Sequence, residues 1–143
     1  MQKIVINKSA GFGLSHKAIM RYAELKGIKI TAYVYEYPNN KWERYDTFKH
    51  DNAYETSHRL DYFIDVNKEI IAYDEYDNNK YFADFDIMRT DPMLIQTVEE
   101  LGADANSDFS ELKIITIPDD VDWYIDEVES GSEIVRERAR WWG

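Results

Sequence analysis

The chain has 143 residues, 44% hydrophobic and 15% aromatic, which is enough apolar material for one domain with its own core and too much for a disordered chain. It has no cysteine, so disulfides, thiolate metal sites and cysteine nucleophiles are excluded. Acidic residues number 28 against 17 basic, a net charge of −11 that repels a phosphate backbone, so direct nucleic-acid binding over a broad face is not expected.

The opening run Met1-Gln2-Lys3-Ile4-Val5-Ile6 is too short for a signal-peptide core, and no stretch approaches the ~20 apolar residues of a membrane span. A soluble, cytoplasmic protein is expected. Residues 3–6 predict a short buried strand, and a loop with two glycines follows. Ser15 then caps a helix running to about Lys26, with Gly27 as its stop. From Ile28 the period changes to two: Ile28, Ile30, Ala32 and Val34 share one face, and Lys29, Thr31, Tyr33, Tyr35 and Tyr37 the other. Pro38-Asn39-Asn40 turns this strand into a partner over 41–48, and 49–59 reads as a polar loop with one helical turn.

Residues 60–66 and 69–76 predict a strand pair joined at Asn67-Lys68, and Asp77-Asn78-Asn79 turns into a further strand over 80–87. The region from 28 to 87 thus reads as a tyrosine-rich antiparallel meander. Asp91 and Pro92 open a second helix whose apolar stripe is Leu94, Ile95, Val98 and Leu101, and Gly102 ends it. A short helix over 103–110 with Phe109 turned inward, a strand over 112–117 and a strand with one buried face (Val121, Trp123, Ile125) follow. Ser130-Gly131-Ser132 makes a turn, and the tail over 133–142 pairs back as a strand or lies as a short helix. The expected fold is α+β: a single domain over 1–143, an antiparallel sheet with two main helices.

The most suggestive chemistry is the strand-to-helix loop Gly11-Phe12-Gly13-Leu14-Ser15. Glycines allow close backbone approach, free amides at a helix start favour an anion, and Ser15 adds a hydroxyl. No Gly-Lys-Ser/Thr follows, so this is not a Walker loop, nor is it a full dinucleotide fingerprint. The structural alternative is a tight turn with Phe12 plugged into the core. Arg89 has the fork to hold a carboxylate or phosphate, or to pair with Asp91. Arg136, Arg138 and Arg140 beside Trp141 and Trp142 form a basic, aromatic patch suited to a stacked phosphorylated ligand. Internal pairing with the acidic surface is the alternative, and exposed tryptophans would instead mark an oligomer contact. His16, His50 and His58 lack metal-ligand spacing. Asp84 and Asp86 share a strand face, a spacing that a solvated strand also produces.

Lys3-Ile4-Val5-Ile6-Asn7, Gly11-Phe12-Gly13-Leu14-Ser15, Arg89-Thr90-Asp91-Pro92-x-Leu94-Ile95, Glu99-Glu100-Leu101-Gly102, Leu112-Lys113-Ile114 and Ile117-Pro118-Asp119-Asp120-x-x-Trp123 occur in that order. The set resembles a family of small phage- and prophage-encoded proteins over residues 3–27 and 87–142, with the meander as the variable part. Ala10 replaces a glycine of the family pattern, Lys8-Ser9 stands near its cysteine-aromatic pair, and Ala139-Arg140-Trp141-Trp142 replaces a His-Arg-x-Trp ending. The resemblance implies a phage origin, a host-cytoplasm location and a counter-defence role, and it carries no activity.

The leading expectation is a non-enzymatic binding protein that sequesters a small nucleotide-type anion. Gly11, Phe12, Gly13 and Ser15 would hold phosphate, Arg89, Arg136, Arg138 and Arg140 would supply charge, and Trp141 would stack. Neither a cofactor nor a metal is expected, and a homo-oligomer is open. One alternative is an acidic inhibitor of a basic host protein, a nucleic-acid mimic, with Asp61, Asp65, Asp74, Asp84 and Asp86 on one face. The other is a small hydrolase or transferase using His16 or His58.

Overall fold

The computed structural model describes residues 1–50 and 60–138. Strand β1 (Gln2–Asn7) pairs antiparallel with β7 (Leu112–Ile117), Ile4 facing Ile115. Ile4, Val5 and Ile6 are all buried, as a continuous apolar run requires when both faces of a strand are covered. Helix α1 (His16–Lys26) begins where the sequence places it. The Ser15 hydroxyl accepts from the Ala18 amide at 3.1 Å, and Gly27 closes the helix at φ 74°, a left-handed conformation that glycine adopts without a Cβ penalty.

Helix α1 lays Ala18, Ile19, Tyr22 and Ala23 on a five-stranded antiparallel sheet. Its strands are β2 (Ile30–Glu36), β3 (Lys41–Arg44), β4 (Asp61–Ile64), β5 (Ile70–Ala72) and β6 (Tyr81–Phe82), in the order β5-β3-β2-β4-β6. The hairpin β2–β3 forms as expected across Pro38-Asn39-Asn40. The pair expected between 60–66 and 69–76 does not form. β4 pairs with β2 and β6, while β5 lies at the opposite edge against β3, Trp42 facing Ile71. Residues 65–69 cross the sheet instead of turning, because the Tyr33 hydroxyl donates to the Lys68 carbonyl at 2.7 Å and the Arg44 amide to the Glu69 carbonyl at 2.8 Å. The strand expected over 80–87 stops at Phe82. A 3-10 turn at Asp84–Asp86 follows, so these two carboxylates do not share a strand face.

The alternation in β2 sorts the sheet into two faces. Ile30, Ala32, Val34 and Tyr62 are buried with Leu94 and Val98 in the core under the helices, and Phe82 packs against them. Tyr33, Trp42, Phe63 and Ile71 form a second cluster on the outer face, with Val66 from the crossing segment packed on it.

Helix α2 (Pro92–Leu101) is capped by Asp91, whose carboxylate also accepts from the Tyr22 hydroxyl and Lys26 Nζ, each at 2.8 Å, tying α2 to α1. The expected helix over 103–110 is only a 3-10 turn, Gly102–Ala105, and Phe109 is 56% exposed. The inward residue there is Ser110, whose hydroxyl donates to the Gly13 carbonyl at 2.7 Å. β8 (Trp123–Glu129) and β9 (Ser132–Glu137) form the final hairpin, though β8 has no fully buried face as its alternation suggested. The tail pairs back as a strand as far as Glu137. Among the described residues no helix is long and apolar enough to cross a membrane.

Candidate functional site

The loop into α1 is committed to the fold. The Gly11 amide donates to the Phe109 carbonyl at 3.0 Å, the Ser15 amide to the Ala105 carbonyl at 2.9 Å, and the Leu14 amide to Asp84 Oδ2 at 2.8 Å. The expectation of free, outward amides is corrected accordingly for Gly11, Leu14 and Ser15: a backbone amide takes an internal acceptor where one is in reach. The Ser15 hydroxyl is shared between the Ala18 amide and the Asp104 carbonyl. A Cβ on Gly13 would meet Ser107 Oγ at 2.9 Å, so this glycine allows close approach of protein, not ligand. Burial pushes the Asp84 carboxyl up against the lowering effect of the Leu14 amide. An internal carboxylate thus stands where an external anion would bind.

Arg89 does meet this loop, its guanidinium 3.8 Å from the centre of the Phe12 ring. Its fork is taken by Glu133 on β9, at 2.7 and 3.0 Å, and by the Val5 carbonyl. Its partner is therefore Glu133, not Asp91. Burial pushes the Glu133 carboxyl up, but Arg89 and the Asn7 amide outweigh it and hold the group below the usual carboxylate range. Arg136 pairs with Asp126 at 2.6 Å, and Arg138 with Asp122 at 3.4 Å while lying over the Tyr124 ring. These are the internal pairs that an acidic surface offers. Arg140 and Trp141, like His58, lie outside the described residues. Of the predicted site residues, the structure brings together Gly11, Phe12, Gly13, Ser15 and Arg89, and it binds them to one another and to the fold.

The two described histidines, His16 and His50, are also engaged. His16 Nδ1 lies 2.9 Å from the Tyr62 hydroxyl, with the two rings stacked. Burial pushes the Tyr62 phenol well above its ordinary value, so at neutral pH it is a neutral hydroxyl. His50 stacks on Tyr45 beside Glu43. Among the described residues no group of three or more histidine and carboxylate side chains is placed to hold a metal.

What the sequence reading passed over is the outer face of the five-stranded sheet. Phe63 on β4 is its floor, and Trp42, Tyr76 and Tyr81 stand edge-on to it, with ring centres 5.7, 5.9 and 5.7 Å away. Trp42 and Tyr76 stack at 5.2 Å, and Tyr81 leans on Tyr76 at 6.3 Å. Asp61 lies among these rings, accepting from Trp42 Nε1 at 2.8 Å and from the Tyr81 hydroxyl at 3.4 Å. Burial and the Asp61 charge push the Tyr81 phenol up to about 12.

Two clefts open on this face. One, of about 550 Å³, is lined by Trp42, Asp61, Tyr73, Tyr76 and Tyr81. The other, of about 260 Å³, has an apolar base of Phe63, Val66 and Ile71 and a rim with Asp65, Glu75 and Asp77 against Lys68 and Lys80. Lys68 is ion-paired to Glu75, which leaves the rim net acidic. The signal was present in the sequence as Tyr33, Tyr35 and Tyr37 on one strand face. Trp42 joins that face through the β2–β3 hairpin, opposite Tyr35, whereas Phe63 and Tyr76 join it only through the strand order that sets β4 beside β2 and β5 beside β3. Asp61 and Asp65 lie on it, but the five carboxylates expected on one face do not gather there: Asp84 accepts from the Leu14 amide and Asp86 lines a cleft with Tyr22 and Ile87.

Comparison of the chain with protein-family models, curated proteins and solved structures gives no match.

Proposed function

We propose that this is a non-enzymatic binding protein that docks a basic protein partner on the outer face of its five-stranded sheet. The observation that carries this reading is one sheet face on which the partly exposed rings of Tyr73, Tyr76 and Tyr81 and the buried Trp42 adjoin carboxylates that outnumber the lysines beside them. Tyr76, Tyr81 and Trp42 surround Asp61, and Asp65, Glu75 and Asp77 rim the adjoining cleft. Aromatic residues are enriched at binding surfaces because a ring brings large contact area with little entropy to lose. Carboxylates beside them select a cationic partner and speed its approach. The overall charge of −11 acts in the same direction at longer range. The likeness to phage and prophage proteins makes a basic host protein the partner and interference with a host defence the role.

Sequestration of a nucleotide-type anion has less support, because Arg89, Arg136 and Arg138 are each paired with a carboxylate and three loop amides are occupied. Titration of the isotopically labelled full chain with an arginine-rich peptide, an acidic peptide and a nucleotide panel, followed by NMR, tests the reading. The peptide is expected to shift resonances of Trp42, Ile71, Tyr76 and Tyr81, and to do so less as salt is added. No response to the basic peptide, or nucleotide-induced shifts at residues 11–15, would overturn it.

A further inference from the structure

We infer that the cleft lined by Trp42, Asp61, Tyr73, Tyr76 and Tyr81 is a seat for one guanidinium group, that of an arginine side chain; the inference rests on the docking face proposed above and assigns its chemistry. Three features point to this cation. First, the rings of Trp42, Tyr76 and Tyr81 are held by Phe63 beneath them, at interplanar angles of 75°, 85° and 74° to it, so their orientation is set before any ligand arrives. Second, Tyr73 flanks the cleft and is 68% exposed, so its ring is accessible to a ligand. Third, Asp61 accepts only from neutral donors, Trp42 Nε1–H and the Tyr81 hydroxyl, and no lysine or arginine among the described residues pairs with it.

A carboxylate of that kind is not offset by an ion pair and has lone pairs left for a further donor. A ring-lined cleft with a negative charge at its side attracts cations through the ring quadrupoles and through Coulomb attraction. Guanidinium suits it better than a primary ammonium. It is planar, weakly hydrated and stacks on a ring face while its edge N–H groups reach a carboxylate. An anion is refused by Asp61, and a neutral aromatic would gain ring contact and leave the charge unused.

The test uses the full chain, with N-ethylguanidinium as the probe and n-butylammonium, tetramethylammonium and tert-butanol for comparison. The readout is the Trp42 side-chain N–H resonance. The ethylguanidinium shift is expected to saturate at lower concentration than that of any comparison compound. Asp61→Asn keeps an acceptor for Trp42 and removes the charge, and Tyr76→Leu removes a ring. Each is expected to weaken binding roughly two- to fivefold, the range that a surface cation–π contact spans. Asp122→Asn, just before β8, is expected to leave binding unchanged. The amide spectrum of each variant reports that it is folded.

Stronger binding of tetramethylammonium or butylammonium than of ethylguanidinium would overturn the assignment, as would equal binding by Asp61→Asn and wild type. If the arginine-rich peptide binds the face while ethylguanidinium leaves Trp42 unmoved and both variants bind the peptide normally, the seat is wrong and the docking face stands. If ethylguanidinium binds with the expected Asp61 dependence while the peptide does not, the seat stands and the protein partner is wrong.

Discussion

Glu133 joins three parts of the chain: it takes the Arg89 fork and the Asn7 amide while 9% exposed. Replacing it with glutamine removes the charge opposite a guanidinium that is itself mostly buried. Breaking a buried pair from one side costs about 3 kcal/mol or more, so Glu133→Gln is expected to lower the denaturant midpoint by that margin without changing the m-value. The two glycines at the ends of this region make a sharper contrast. Gly131 has φ +88°, and a Cβ there would lie 1.8 Å from the Ala10 carbonyl oxygen. Gly11 has nothing within 4 Å of its would-be Cβ. Thermal unfolding should therefore show Gly131→Ala strongly destabilised, by about 2 kcal/mol or more through positive φ and backbone clash together, and Gly11→Ala near wild type. A large loss in Gly11→Ala would mean that its loop is needed in a way the packing does not show.

At the scale of elements, the two helices were legible because their signals are local. Ser15 and Gly27, then Asp91, Pro92 and Gly102, are caps acting within one turn, and both helices run between them. β1, β2, β7 and the β2–β3 hairpin were legible from apolar runs, a two-residue period and a proline-asparagine turn. The partners of β4 and β5 were not. Their choice depends on the Tyr33 hydroxyl reaching the Lys68 carbonyl, a contact between residues 35 apart that no periodicity announces. The aromatic face was hidden for the same reason, since register and strand order decide which tyrosines meet. The loop glycines were visible but carried the wrong implication. Gly13 makes room for Ser107, and the amides meet Asp84 and the carbonyls of Ala105 and Phe109.

Asp91 acts at this scale too, as cap of α2 and as acceptor for Tyr22 and Lys26 of α1. Burial pushes its carboxyl up, but Lys26, Tyr22 and the Met93 amide together hold it below the usual value. Asp91→Ala should cost about 1–2 kcal/mol from the cap alone, read as a lower melting temperature. Asp91 and Glu133 are both carboxylates whose folded-state pKa is depressed, so the stability they add is present above the unfolded value and lost as pH falls through the folded one. The melting temperature should be flat from neutral pH to about 5 and fall below about pH 4, and the fall should be shallower in a Glu133→Gln, Asp91→Asn double variant.

For the whole molecule, the division of labour follows from the two faces of one sheet. The inner face is closed by α1 and α2, Arg89 ties the hairpin and the first strand into the body, and Arg136 and Arg138 pair across the hairpin itself. The outer face leaves the rings of Tyr73, Tyr76 and Tyr81 partly exposed and Asp61 without an ion-pair partner among the described residues, while Lys68 is paired with Glu75. A face of that kind, in a chain of charge −11, suits the cationic partner proposed above. The most direct measurement is the affinity of the full chain for an arginine-rich peptide, taken across a series of salt concentrations for wild type and for Asp61→Asn with Tyr76→Leu. Binding that weakens steadily with salt and is lost in the double variant is the predicted result. Binding indifferent to salt, or equally strong in the double variant, would contradict it.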